Sequence, residues 1–211
     1  AFFMLTGELM TSATITDRLV ALSRALIGRI RGGLAQVNVL VSMFFAGMNG
    51  SVVADTATVG ALVLPAMKKA GYPAAFSAAV TGVSSTIGGI IPPSIMMIVL
   101  ANSTEISIAA LFAAGIIPGV LIGIVIMIIN HFFAIKYNFE RSDEPFSIRR
   151  AGKELYRSSF ALLIPLVLVG SVMGGVASVV EAGAITAMVA LFTGVFVYRT
   201  IKWKDCTGAF R

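Results

Sequence analysis

Apolar runs at roughly 34–67, 74–101, 106–135, 159–180 and 182–198 occupy most of the sequence. A helix that crosses a bilayer needs about 20 apolar residues, so some of these runs are too long for one simple span. Peptide groups in hydrocarbon must find partners inside the protein, which restricts spanning chains to helices or closed barrels. Barrel strands would read as alternating segments of about ten residues, and none occurs. The expected fold class is therefore an all-α polytopic membrane protein. Charged residues make up 12% of the chain, about half the share usual in soluble domains.

The runs are interrupted where lipid would tolerate interruption least. In "MFFAGMNGSVVADTATVG", Gly47, Asn49, Gly50 and Ser51 crowd a stretch that should be smooth helix, and Asp55 follows Ser51 at i,i+4 spacing. A carboxylate inside a span costs about 2.5 to 3.5 kcal/mol on insertion scales and normally faces a bundle interior or an aqueous cavity. In "GVSSTIGGIIPPSIMMIVL", Ser84, Ser85, Thr86, Gly88, Gly89, Pro92, Pro93 and Ser94 make a second break. Proline has no N–H to give, and glycine tolerates backbone shapes that other residues avoid. The polar ends of 73–103 suggest a re-entrant hairpin with its tip at the prolines. A third break is expected at Gly115, Pro118 and Gly119, making 106–135 a discontinuous helix. Such breaks survive in a membrane only when buried in protein or lining a cavity. Freed carbonyls there attract sodium-like cations, and half-helix N-termini attract anions.

Basic residues lie between the runs rather than on a nucleic-acid-binding face. Arg18, Arg24, Arg29 and Arg31 precede the first run, and Lys136 to Arg157 includes six more; Arg199, Lys202, Lys204 and Arg211 follow the last. Short basic loops stay in the cytoplasm as a rule. Lys68 and Lys69 fit that scheme only if 34–67 does not cross once. The segment from Thr14 to Gly32 places Ile15, Leu19, Leu22, Leu26 and Ile30 on one stripe, as an interfacial amphipathic helix would. Cys206 is alone and builds no metal site. No Gly-x-Ser-x-Gly turn accompanies His131, which argues against a serine hydrolase. Glu181 reads as a helix cap.

The stretch "MNGSVVADTATVGALVLPAMKKAGYPAAFSAAVTGVSSTIGGIIPPSI" resembles the large permease subunit of tripartite ATP-independent periplasmic (TRAP) transporters, as does "PLVLVGSVMGGVASVVEAGAITAMVALFTGVFVYR". The most specific parts are Gly-Ser-x-x-Ala-Asp at 50–55, Met-Lys-Lys-x-Gly-Tyr at 67–72 and Ile-Gly-x-Ile-Ile-Pro-Pro-Ser at 87–94. Family members commonly have Ser-Gly-Ser where Asn49-Gly50-Ser51 stands, and Thr-Pro-Thr-Glu where Ser178-Val179-Val180-Glu181 stands.

The resemblance implies an elevator-type secondary transporter, not an enzyme, in the bacterial inner membrane, in which sodium drives organic-acid import. C4-dicarboxylates, sialic acid and sugar acids are the expected substrates; sodium is the coupling ion and no other cofactor is expected. The implied partners are a periplasmic binding protein, a small membrane subunit, the remaining half of the large subunit and membrane lipid, with no nucleic acid. A carrier working without a binding protein is the alternative. The expected organisation is a membrane-helix end and interfacial arm at 1–33, a transport core at 34–135, a basic connector at 136–158, and two further helices with a basic tail at 159–211. The resemblance implies a sodium and substrate site at Asn49, Ser51, Asp55, Ser84, Ser85, Thr86, Gly88, Pro92, Pro93, Ser94, Gly115 and Pro118, with sodium held by carbonyls and hydroxyls.

Overall fold

The computed structural model describes residues 15–27, 30–139 and 147–198, and among these the elements are helices and the turns between them. They are α1 (Ile15–Ile27), α2 (Gly33–Asn49), α3 (Val52–Lys69), α4 (Ala74–Ser85), a 3-10 turn (Thr86–Gly89), α5 (Ile95–Thr104), α6 (Ile108–Lys136), α7 (Ile148–Met173) and α8 (Val179–Phe192). A π-helical turn, Thr193–Val197, extends α8. Among the described residues three stretches are long and apolar enough to cross a membrane: Ile108–Lys136, Ile148–Met173 and Val179–Phe196. The expected tail of a membrane helix at 1–11 and the basic tail after Tyr198 lie outside the described residues.

Local chemistry sets the boundaries. Gly50 ends α2 in the left-handed region (φ 59), and its N–H still reaches the Ala46 carbonyl, as a glycine at a helix end can. Ser51 is extended and caps α3, its hydroxyl accepting from Ala54 N–H at 3.4 Å. Ser94 and Ser107 cap α5 and α6 in the same manner. At α8 the capping is reciprocal: Ser178 accepts from Glu181 N–H, and the Glu181 carboxylate accepts from Ser178 N–H at 2.8 Å. Glu181 is therefore a cap, as expected.

The direction of each helix follows from side-chain contacts. Asn38, early in α2, donates to the Met67 sulfur near the end of α3 at 3.6 Å. The chain has thus folded back on itself at Gly50 and Ser51, and α2 and α3 form a helical hairpin. Asn38 also reaches Thr81, and Ser42 meets Ser84, so α4 runs parallel to α2. Helix α6 returns past them all. Its Phe133 packs against Phe76 of α4 at 5.9 Å, its Met127 carbonyl accepts from Gln36 of α2 at 2.8 Å, and its Phe112 lies with Met97 and Ile98 of α5.

Two expectations are corrected by this path. Residues 73–103 do not fold back as a hairpin. Instead α4, the 3-10 turn and α5 run in succession along the whole length of α6, so this is the discontinuous helix, and the hairpin is the preceding pair α2 and α3. The stretch from Ile108 to Lys136 is not broken at Gly115 and Pro118 but is one helix of 29 residues, about 44 Å at 1.5 Å per residue. Pro118 sits on its exposed side, where a single missing N–H is tolerated without a break.

The core runs through the middle of the bundle: Val39, Phe45, Met48, Val59, Met67, Ile87 and Ile164 are all at most 1% exposed. The outer face of α6 is apolar and open, with Ile117, Leu121 and Phe132 each at least 60% exposed, as a lipid-facing surface requires. Lipid is as apolar as leucine, so helix association here rests on close packing and polar contacts rather than on escape from water. Helix α1 is tied in the same way. Leu19 and Leu22 are fully buried, and the carbonyl of Arg18 accepts from Ser158 of α7 at 3.3 Å.

Folding back puts Lys68 and Lys69 at the same end of the bundle as Gly33 and Lys136. There the Tyr72 and Phe76 rings pack tilted against Phe139, with centroids 4.5 Å and 5.1 Å away. The basic residues that fitted poorly with a single crossing thus lie at the end of the bundle that carries Lys136.

Candidate functional site

The two breaks meet. The backbone N–H of Ile95 donates to the Gly50 carbonyl at 3.2 Å. A side chain at Gly50 would strike the Pro93 carbonyl and the backbone of Ser94 and Ile95. A side chain begun at Gly88 would in turn place its first carbon 3.8 Å from the backbone of Ser51. Pro92, Pro93 and Ser94 are buried, and the Pro92-Pro93 bond is cis. Four helix ends converge in this place: α2 and the 3-10 turn present carbonyls, while α3 and α5 present N–H groups. Carbonyl ends carry partial negative charge and N–H ends partial positive charge. A cation and an anion can therefore both find partners within a few ångströms.

Asp55, in the first turn of α3, is fully buried. Neither carboxylate oxygen has a hydrogen-bond partner among the described residues. The hydroxyls of Ser85 and Ser42 face it but are engaged elsewhere, Ser85 donating to the Thr81 carbonyl at 2.8 Å and Ser42 sharing a 3.2 Å bond with Ser84. A buried polar group without a partner is rare in native proteins, and an ionised one is costly.

Behind the carboxylate runs a polar seam between α2 and α4. Asn38 donates to the Thr81 hydroxyl at 2.7 Å, Ser84 donates to the Asn38 amide oxygen at 3.3 Å, and the Ser42 and Ser84 hydroxyls pair. Asn38, Ser42, Ser84 and Ser85 are all 0% exposed. Asn38 and Ser42 escaped the sequence reading. Their i,i+4 spacing in an apolar run, matched by Thr81 and Ser85, was the available signal.

The expected site residues divide accordingly. Ser51, Asp55, Gly88, Pro92, Pro93 and Ser94 lie at or beside the junction. Asn49 closes α2, and its side chain lies outside the described residues. Ser84 and Ser85 are set in the seam, their hydroxyls committed to it. Thr86 is exposed, and its hydroxyl donates to the Val83 carbonyl at 2.7 Å. Gly115 and Gly119 are spacers rather than breaks. A side chain at Gly115 would meet the Ile90 carbonyl, and one at Gly119 the Ile91 side chain. Pro118 is not part of the site.

The donors gathered here are oxygens: backbone carbonyls, the hydroxyls of Ser51 and Ser94, and a carboxylate. Among the described residues no group of three His, Cys, Asp or Glu comes together to hold a metal ion.

The pattern of the family described as "Tripartite ATP-independent periplasmic transporter, DctM component" matches residues 1–211. The chain belongs to the TRAP transporter DctM family. It is similar to the C4-dicarboxylate TRAP transporter large permease protein DctM of Pseudomonas aeruginosa, with 36% identity over 97% of this chain and 48% of that protein. It is 37% identical to the sialic acid TRAP transporter large permease protein SiaM of Vibrio cholerae, over 95% of this chain and 47% of that one. It is also 37% identical to the 2,3-diketo-L-gulonate TRAP transporter large permease protein YiaN of Escherichia coli, over 99% of this chain and 50% of that one. The chain spans about half the length of these curated relatives. Family and helices together point to a multi-pass membrane protein.

Proposed function

We propose that this chain forms one repeat of the large permease subunit of a sodium-coupled importer of organic acids in the bacterial inner membrane. One observation carries the reading: two chain breaks meet at Gly50 and Pro93 beside Asp55, a buried carboxylate whose oxygens have no partner among the described residues. An elevator-type carrier needs such a junction. The carbonyl ends of α2 and the 3-10 turn, with the Ser51 and Ser94 hydroxyls, suit a hard monovalent cation. The N–H ends of α3 and α5 suit the carboxylate of a substrate. The relatives named above carry a C4-dicarboxylate, sialic acid or 2,3-diketo-L-gulonate by their names, all organic acids, which supports the substrate class.

No covalent bond changes in such a cycle. Sodium orders the junction, the anion binds to the ordered form, and the loaded body moves against a fixed scaffold; each step works by differential affinity. Asp55 supplies compensating charge beside the junction, with the Asn38 seam behind it. The partners in this reading are a periplasmic binding protein, a small membrane subunit and the other half of the large subunit. One repeat alone would not transport.

Uptake by the complete transporter in vesicles tests the reading. Asp55→Ala should abolish sodium-dependent uptake, and unchanged uptake with unchanged sodium dependence would refute the proposal. Leaving out the binding protein should stop transport as well; continued uptake without it would favour a stand-alone carrier.

A further inference from the structure

We propose that a recess between α1 and α7, remote from the junction, binds the headgroup of a zwitterionic phospholipid of the phosphatidylethanolamine type. The recess has a volume of about 510 Å³ and is lined by Asp17, Arg18, Ala21, Glu154 and Arg157. Its charged lining is two arginines and two carboxylates. A phosphate needs the first pair and an ammonium the second, so the lining complements a headgroup that carries one charge of each sign.

The site is held in shape by contacts that do not use up its donors. The Arg18 guanidinium carbon lies over the Tyr198 ring, 4.0 Å from its centroid, a contact to the ring face that consumes no N–H donor by itself. The Tyr198 hydroxyl donates to the Arg157 carbonyl at 3.0 Å, and Ser158 donates to the Arg18 carbonyl at 3.3 Å. Three elements, α1, α7 and the end of α8, are thereby fastened around one recess. Arg157 pairs with Glu154 at 3.2 Å, yet its side chain remains 52% exposed. A guanidinium has five N–H donors, so one such pair leaves Arg157 free to grip a phosphate.

Depth favours a lipid. From Ile148 to Arg157, α7 carries Arg149, Arg150, Lys153, Glu154 and Arg157; from Ser158 to Met173 it carries no charge. The recess therefore sits where α7 passes from headgroup level into hydrocarbon. Phe160, three residues beyond Arg157, is 45% exposed and Leu163 is 43% exposed, which offers an apolar track for acyl chains. An anionic lipid would satisfy the arginines but leave Asp17 and Glu154 facing more negative charge.

Native mass spectrometry of the complete detergent-purified protein tests this. The protein is mixed with equimolar phosphatidylethanolamine, phosphatidylcholine and phosphatidylglycerol of matched chains. Phosphatidylethanolamine should be retained about tenfold over each of the others, because all three offer the arginines a phosphate and only it offers the carboxylates an ammonium with N–H donors. Arg18→Ala with Arg157→Ala should lower retention of all three lipids. Asp17→Asn with Glu154→Gln should turn it toward phosphatidylglycerol, and this swap decides the matter if the arginine variant does not fold. Equal retention of the three lipids by the unaltered protein, or a preference untouched by Asp17→Asn with Glu154→Gln, overturns the proposal. So does displacement of the lipid by soluble phosphoethanolamine at comparable concentration, since the site would then read a free phosphate compound and not a membrane lipid.

Discussion

Asn38 on α2 and Thr81 on α4, 43 positions apart, share a 2.7 Å hydrogen bond at a depth where neither is exposed by more than 2%. The same amide receives Ser84, so one side chain clasps the first arm of the hairpin to the first half of the discontinuous helix. Asn38→Ala would take one partner each from Thr81 and Ser84, which keep their bonds to the Ser77 and Thr81 carbonyls, and a lost buried hydrogen bond costs about 0.5–1.5 kcal/mol. The denaturation midpoint in detergent should fall clearly. Sodium affinity should fall more than in Ser103→Ala, whose exposed hydroxyl only serves its own helix.

Gly50 has no room for a methyl group. Its φ of 59 is left-handed, and the added carbon would meet the Pro93 carbonyl, a backbone atom that cannot swing aside. Gly50→Ala should abolish transport and sharply reduce the yield of folded protein. Gly82→Ala is the control: nothing lies within 4 Å of the site of the new carbon, and alanine in a helix gains about 0.5–1 kcal/mol over glycine. Equal behaviour of the two variants in uptake and melting would contradict the described junction.

The glycines of α6 should grade by what they touch. Gly115 faces the Ile90 carbonyl, Gly119 the side chain of Ile91, and Gly123 the flexible end of Met43. Methionine adapts, a branched side chain adapts less, and backbone does not. Alanine at these positions should lower uptake most at Gly115, less at Gly119 and least at Gly123, with melting midpoints in the same order.

Glu181→Ala should lower thermal stability modestly and leave the sodium dependence of uptake unchanged, because its carboxylate serves the Ser178 N–H. Ser178→Ala, which removes the reciprocal bond, should reproduce the effect. A change in sodium dependence from either would move Glu181 from cap to site.

Breaks were easier to read in the sequence than their angles. Gly50, Ser51, Pro92 and Pro93 announce themselves because glycine, proline and hydroxyl residues disrupt helices locally. Whether the chain then turns back or continues depends on partners far away: Met67 for Asn38, Phe112 for Met97. An apolar run of 73–103 has the length for either path, and here α6 offers a full-length surface to lie against. Pro118 misled for the opposite reason. A proline on the lipid side of a long helix has no neighbour that forces a bend. Asp55 was legible because ionisable groups are so rare in such runs, while Asn38 and Ser42 carry no charge and gain their meaning only from α4 opposite them.

The fold-back at Gly50 also bears on how the protein is made. Both ends of the α2 and α3 pair, with Gly33 at one and Lys68 and Lys69 at the other, stay on a single face. Membrane insertion of this pair therefore requires no hydrophilic loop to be carried across; only a short glycine-led bend has to sink inward, and it can do so after the flanking helices are in place.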